Sequence, residues 1–150
     1  MEITITGPRS VGKTTVTKLV AEGLGLKYIS SDELGNKAMK EKGGLDKAIK
    51  SGEIKQWIKN SSYGLIRKEY ERDNFVFDLS GGAFGSRKFA EASEKIREKA
   101  KNNSVIFGLL PYEDENKSVK MLFEREKNRN HFKDMDRDKL YAKVKKSYSK

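Results

Sequence analysis

One glycine-rich segment near the start of the chain constrains the fold more than any other feature. Residues 7–14 read Gly-Pro-Arg-Ser-Val-Gly-Lys-Thr and match the phosphate-binding pattern G-x-x-x-x-G-K-[ST] at every fixed position. Upstream, residues 3–5 alternate as a short β-branched strand, and downstream apolar residues recur at helical spacing. A strand, a glycine loop and a helix in this order predict a loop that binds a nucleoside triphosphate.

The chemistry of such a loop (a P-loop) gives most of its residues an expected role. Gly7 and Gly12 allow the backbone to curl, so that successive N–H groups converge at the positive end of the following helix. Lys13 is expected to reach the β- and γ-phosphates, and the Thr14 hydroxyl is expected to ligate Mg²⁺. The predicted nucleotide-binding residues of this segment are Gly7, Arg9, Ser10, Val11, Gly12, Lys13, Thr14 and Thr15.

The remaining chain alternates between strand and helix patterns. Further strands are predicted at 26–30, 75–79 and 105–110, and further helices at 33–42, 45–50, 53–70, 89–100 and 116–127, with a last helix near the end. Short glycine turns follow several strands, and residues 80–85 look like a second glycine-rich turn. This order predicts one α/β domain over 1–150, with a parallel sheet of about four strands between layers of helices.

Composition narrows the classes of partner. The net charge is +10, which favours polyanions, and both ATP and nucleic acids are polyanions. A nucleic-acid-associated ATPase would need a basic stripe with interleaved aromatic residues, whereas the lysines here are scattered over every predicted helix. There is no cysteine, which suits a cytoplasmic protein, and no Cys/His cluster for zinc. We expect no signal peptide and no segment that spans a membrane.

The order of several landmarks resembles that of the shikimate kinases, small P-loop kinases related to the nucleoside monophosphate kinases. The landmarks are the loop at 7–14, Asp32 after the second strand, the pair at 52–53, the turn at 79–82, and a basic lid around Arg125 and Arg129. The resemblance covers nearly the whole chain. It implies a phosphotransferase that uses ATP and Mg²⁺ to phosphorylate a hydroxyl of a small acceptor.

The resemblance also implies roles for residues outside the loop. Asp32 would contact the acceptor hydroxyl and take its proton, while Gly81 and Gly82 would line the acceptor pocket. Arg125 and Arg129 would close over the nucleotide and the transferring phosphate, as parts of a mobile lid at about 125–136. From the residues alone, Asp32 is also a candidate helix N-cap, and the two arginines are candidate solvated surface charges.

Two positions bear on the metal. Asp78 ends the third strand near the phosphates, where it would order Mg²⁺ through water or serve a hydrogen-bonded structural role. Shikimate kinases usually carry an aspartate two residues before the acceptor aspartate, and this chain has Ser30 there. The predicted metal-binding residues are therefore Thr14 and Asp78.

The departures from the family pattern concern the acceptor. Where the family has a carboxylate-binding arginine, this chain has Gln56 and Trp57, and Lys59 is the nearest cation. Lysines at 145–146 replace another arginine in the last helix. Because lysine does not replace a bidentate arginine, we expect an acceptor other than shikimate. A nucleoside monophosphate kinase remains the alternative, although it would need arginines near 53–62.

The C-terminal region also departs from the pattern. The family continues into a fifth strand and a closing helix whose entry loop packs on the adenine, whereas this sequence stops at Lys150. We therefore expect a four-stranded sheet, with Arg125 as the candidate to stack on the adenine.

Overall fold

The computed structural model of the chain describes residues 1–53, 55, 63–129 and 132–148. Its strands are β1 (Glu2–Thr6), β2 (Lys27–Ser30), β3 (Phe75–Asp78) and β4 (Val105–Gly108). Its helices are α1 (Lys13–Leu24), α2 (Ser31–Ala38), α3 (Leu45–Ser51), α4 (Tyr63–Glu69), α5 (Gly81–Gly85), α6 (Ala90–Asn103), α7 (Glu115–Glu126) and α8 (Arg137–Tyr148), with a 3₁₀ turn at Lys40–Lys42. No helix among these residues is long and apolar enough to cross a membrane.

The four strands form one parallel sheet in the order β2-β3-β1-β4. The register pairs Asp78 at the end of β3 with Ile5 of β1 and with Ser30 of β2. All strands therefore end at one edge of the sheet, and the segments that follow β1, β2 and β3 meet there. The predicted α/β fold with a four-stranded parallel sheet is confirmed.

The core explains why β3 lies inside the sheet. Phe75, Val76 and Phe77 are all 0% exposed, so this strand needs helices on both faces. On one face, the two phenylalanines pack with side chains of α4 and α6, including Ile96. On the other face, Val76 packs with β1 and with Ala21 of α1. The sheet therefore lies between two layers of helices, which gives the expected three-layer arrangement.

Helices α7 and α8 enclose a separate apolar cluster. Its buried members are Val119, Leu122, Phe123, Phe132, Leu140 and Val144. Val11 of the glycine loop packs against this cluster, which brings the C-terminal helices to the phosphate-binding segment.

Two local predictions were wrong. Residues 80–85 do not form a plain turn: they include α5, because the Ser80 hydroxyl accepts a hydrogen bond from the Ala83 N–H (3.2 Å) and caps a helix. The predicted helix at 33–42 begins earlier, at Ser31, and ends at Ala38. Part of the predicted helix at 53–70 lies outside the described residues, and α4 is its described portion.

Candidate active site in the cleft at the sheet edge

The loop after β1 adopts a conformation that depends on its glycines. Gly7 and Gly12 have φ angles of 152° and 102°, which L side chains rarely adopt. A side chain at Gly7 would also overlap the carbonyl oxygen of Leu109, because the two backbones lie in contact. Gly12 precedes the first residue of α1, so the loop opens directly onto the positive end of that helix.

Lys13 lies at the mouth of this loop. Its Nζ donates hydrogen bonds to the carbonyl oxygens of Gly7 (3.2 Å) and Pro8 (3.1 Å). Burial lowers the pKa of Lys13, and the nearby charges of Asp78 and Asp32 oppose that shift. The loop therefore holds a partly desolvated ammonium group where phosphate oxygens would bind.

The two predicted metal-binding residues touch each other. The Thr14 hydroxyl donates a hydrogen bond of 2.6 Å to Asp78 Oδ2. Burial raises the pKa of Asp78, whereas the Thr14 hydrogen bond and the charge of Lys13 act in the opposite direction. One hydroxyl and one carboxylate suit Mg²⁺, which usually takes few protein ligands and completes its shell with phosphate oxygens and water. Among the described residues, no group of three or more acidic or histidine side chains forms a metal site.

The start of α2 leaves Asp32 available to the cleft. Ser30 caps this helix, since its hydroxyl accepts from the Glu33 N–H (3.3 Å). Ser31 ties the helix to the end of β3: its hydroxyl donates to Asp78 O (3.2 Å) and accepts from the Ser80 N–H (2.9 Å). The alternative that Asp32 serves only as the N-cap is therefore wrong. Asp32 is exposed and lines the cleft beside the P-loop.

The glycines after β3 approach the loop closely. A Cβ at Gly81 would lie 2.5 Å from the carbonyl oxygen of Gly7, so this position needs glycine for backbone packing. Gly82 has open space around it, and both glycines line the cleft.

The whole cleft encloses about 1030 Å³. Beyond these glycines it continues between α2, α3, α4, α5 and α6. Its apolar walls in that half include Leu45, Ile49, Ile66, Phe84, Phe89 and Ile96. The predicted acceptor residue Lys59 lies outside the described residues, whereas Lys146 of α8 does line the cleft.

Arg125 braces the loop from the side of α7. Its Nη1 donates to the carbonyl oxygens of Ser10 (2.9 Å) and Val11 (3.3 Å). The expected stacking of Arg125 on adenine stays a prediction. Val11 is the one predicted loop residue that packs toward the α7–α8 cluster rather than lining the cleft.

Glu126 is a residue at this site that the sequence reasoning missed. It is 2% exposed, accepts a hydrogen bond from the Ser10 hydroxyl, and pairs with Arg9 Nε (3.8 Å) and Arg129 Nε (3.5 Å). The only sequence signal was an acidic residue directly after a lid arginine in a basic segment.

Lys143 and Phe132 were missed as well. The Arg9 guanidinium lies 5.3 Å and Lys143 Nζ lies 4.4 Å from the centre of the Phe132 ring. Burial lowers the pKa of Lys143, and the charge of Arg9 adds to that shift. The phosphate end of the cleft is therefore lined by several cations on two sides.

The structure brings most predicted site residues into one cleft. These are Gly7, Arg9, Ser10, Gly12, Lys13, Thr14, Thr15, Asp32, Asp78, Gly81, Gly82, Arg125 and Arg129. The side chains that suit phosphate and Mg²⁺ lie around the P-loop, and the charge of Asp32 acts on two of them, Lys13 and Asp78.

Comparisons with known proteins show which solved structures share this fold. No protein-family model matches the chain. A stretch of 43 residues, 29% of this chain, is 51% identical to the cytidylate kinase of Archaeoglobus fulgidus, and it spans only 24% of that protein. A shikimate kinase from Bacteroides thetaiotaomicron superposes with a TM-score of 0.72 at 18% identity, covering 99% of this chain and 78% of the other.

A second solved structure, the shikimate kinase from Acinetobacter baumannii in complex with shikimate, gives a TM-score of 0.65 at 22% identity. It covers 97% of this chain and 74% of that protein. The resemblance that the sequence landmarks indicated is thus confirmed for the fold. The chain has the fold of the P-loop kinases, and shikimate kinases are among its structural relatives.

Proposed function

We propose that this protein is an ATP-dependent phosphotransferase that moves the γ-phosphate to a hydroxyl of a small acceptor. One observation carries the proposal. A single cleft holds Lys13, the Thr14–Asp78 pair and, beside the P-loop, a carboxylate that is not used as a helix cap, Asp32. A phosphate-binding loop alone would fit any nucleotide-binding protein, but the second half of the cleft provides room for an acceptor.

The phosphate end would act by positioning and by neutralising charge. The loop N–H groups and Lys13 would hold the β- and γ-phosphates, while Arg129 would offset charge on the transferring group. Thr14 and Asp78 would hold Mg²⁺, which supplies a further positive charge on the phosphates when bound. Little covalent chemistry is required of the protein, because most of the rate in such reactions comes from alignment and electrostatics.

The acceptor end would prepare the nucleophile. Asp32 would orient the acceptor hydroxyl and take its proton as the new bond to the γ-phosphorus forms. The bond between that phosphorus and the β,γ-bridging oxygen breaks, and ADP leaves. Closure of a lid at about 125–136 would exclude water, the competing acceptor.

The acceptor in this proposal is not shikimate. Gln56 and Trp57 stand where shikimate kinases have an arginine, and Lys146, which lines the cleft, comes from the helix region where they have another. A lysine is a point charge and cannot form the paired hydrogen bonds that an arginine makes to a carboxylate. An uncharged or phosphorylated polyol, or a nucleoside, fits these residues better. An ATP-dependent reaction also fits a cytoplasmic location.

A second candidate function is phosphorylation of a nucleoside monophosphate. The 43-residue stretch at 51% identity to a cytidylate kinase favours it. In that case the acceptor would be a phosphate oxygen, and cations such as Lys146 would have to bind the monophosphate. The chemistry at the P-loop would be the same.

A coupled ADP-release screen tests both candidates. Small hydroxylated metabolites and nucleoside monophosphates, CMP among them, would be added singly to the protein with ATP and Mg²⁺. We expect saturable, acceptor-dependent ADP release that the Lys13→Met variant lacks. If no acceptor raises ADP release above the rate with water, or if Lys13→Met matches the wild type, the proposal is overturned. Strong, salt-dependent affinity for RNA would instead favour a nucleic-acid-associated ATPase.

A further inference from the structure

Glu126 connects the P-loop to the arginines around the phosphate end of the cleft. It is the last residue of α7 and its side chain is almost completely buried, at 2% exposed. One of its carboxylate oxygens accepts a hydrogen bond from Ser10 in the P-loop and lies 3.5 Å from Arg129 Nε. The other lies 3.8 Å from Arg9 Nε. A single carboxylate therefore contacts both the P-loop and the segment that follows α7.

Glu126 meets both arginines in the same way. Both ion pairs are made through Nε, the guanidinium nitrogen nearest the main chain. Arg9, Glu126 and Arg129 all line the cleft. The pKa of Lys13 is lowered first by burial and further by the charges of Arg129 and Arg9, so these arginines act on the phosphate site electrostatically.

The surroundings explain why a carboxylate is needed at this point. Arg9, Lys13, Arg129 and Lys143 would repel one another, and long side chains that repel would spread into solvent. A buried carboxylate is itself costly unless cations pair with it. Ser10 has a left-handed backbone (φ 62°), which is unfavourable for a residue with a side chain, and the bond to Glu126 helps to hold it there.

We propose that Glu126 is a positioning residue that aims Arg9 and Arg129 at the triphosphate and fixes the P-loop at Ser10. The proposal rests on the nucleotide site proposed above. Glu126 does not touch the reacting atoms; it acts through the two arginines. A carboxylate that only stabilised the fold would have no selective effect on triphosphate binding.

The variant Glu126→Gln tests this role. The amide keeps the shape and an oxygen that accepts the Ser10 hydrogen bond, but it removes the charge that holds the arginines. We expect the affinity for Mg²⁺ with the non-hydrolysable analogue AMP-PNP to fall about tenfold, as for the loss of one charge-assisted hydrogen bond, and the affinity for ADP to fall less. Isothermal titration calorimetry measures both affinities.

Glu124→Gln is the matched control. Glu124 lies on the same helix, pairs with Lys127 and is exposed, so the variant removes an equal charge without touching either arginine. We expect it to bind AMP-PNP like the wild type. The melting temperatures of both variants show whether the fold is retained.

A double-mutant cycle separates positioning from simple stabilisation. Arg129→Ala should weaken AMP-PNP binding in the wild-type background and much less in the Glu126→Gln background, because Arg129 is no longer aimed at the phosphates there. If the two effects are additive, Glu126 does not act through Arg129 and the proposal is overturned.

The other outcomes are equally informative. Unchanged affinity in Glu126→Gln, or tighter binding because the carboxylate competes with the phosphates, overturns the proposal. If Glu126→Gln does not fold, Glu126→Asp replaces it: this variant keeps the charge but withdraws it from the arginines, and a loss of triphosphate affinity is again expected. The readout is nucleotide binding, so a failure to find any acceptor would overturn the proposed function and leave this test intact. A wild type that does not bind AMP-PNP would overturn both.

Discussion

The two halves of the cleft are built in different ways. The phosphate half comes largely from one continuous segment, residues 7–15, in which Gly7 and Gly12 have φ angles that L side chains rarely adopt. The acceptor half is assembled from α2, α3, α4, α5 and α6, which are distant in sequence, and its walls are mostly apolar side chains. If the proposed function holds, phosphoryl transfer is encoded by one local segment, whereas the choice of acceptor depends on how separate elements pack.

The largest expected effect concerns the phosphate half. Lys13→Met should lower acceptor-dependent ADP release by about 10³-fold or more, because it removes a charge that would bind the transferring phosphate. The fold should be retained, since within the described part of the chain the Lys13 ammonium donates hydrogen bonds to carbonyl oxygens of the loop and to no side chain. Lys18→Met, an exposed change on the same helix, is the control, and circular dichroism checks both variants. Wild-type activity in Lys13→Met would contradict the assignment of the phosphate half.

The next effect tests whether the two halves are functionally separate. Asp32→Asn should reduce kcat by about 10²- to 10⁴-fold, the usual contribution of a general base, with the affinity for AMP-PNP nearly unchanged. Glu33→Gln changes a neighbouring carboxylate that does not line the cleft, and it should behave like the wild type. An equal loss of nucleotide affinity in Asp32→Asn would assign Asp32 to the metal side.

A smaller effect concerns acceptor choice. Shikimate should bind about a hundredfold more weakly than to an enzyme that offers a bidentate arginine, because one charged hydrogen-bonding pair contributes roughly 2–3 kcal/mol. The loss of two such arginines would make the binding weaker still. Steady-state kinetics with shikimate as the acceptor measures the effect. Efficient, saturable ADP release at micromolar shikimate would contradict this prediction and show that the acceptor half binds shikimate as the acceptor site of a shikimate kinase does.

The smallest expected effect is on the stability of the fold, and it concerns Asp78 in the phosphate half. Burial holds the pKa of Asp78 above its ordinary value in the folded protein, so its ionisation opposes folding at neutral pH. Asp78→Asn should therefore raise the melting temperature of the nucleotide-free protein, by about 2–4 °C for each kcal/mol of penalty removed. This gain in melting temperature should be full at pH values above the pKa of Asp78 in the folded protein. It should vanish below the ordinary pKa of aspartate, where Asp78 is protonated in both the folded and the unfolded protein. Thermal melts from pH 4 to 8 provide the check, and a gain that grows toward low pH would contradict it.

The sequence predicted those features of the fold and of the site that depend on residues close together along the chain. The P-loop, the four parallel strands and the placement of Thr14 near Asp78 all follow from local motifs and from the rule that parallel strands end at one edge. Glu126 did not follow, because its role depends on α7 packing against the P-loop, a contact between residues more than a hundred positions apart. The cap of α2 by Ser30 rather than by its neighbours was a choice among adjacent polar residues that propensity does not decide.

One measurement tests the central claim most directly. ATP labelled with ³²P at the γ-position would be incubated with the protein, Mg²⁺ and the best acceptor from the ADP-release screen, and the products would be separated by thin-layer chromatography. The two-part cleft predicts that the label appears in the phosphorylated acceptor, with little in inorganic phosphate, and that Lys13→Met abolishes the transfer. Label found only in inorganic phosphate, at a rate that no acceptor changes, would contradict a kinase and identify an ATPase.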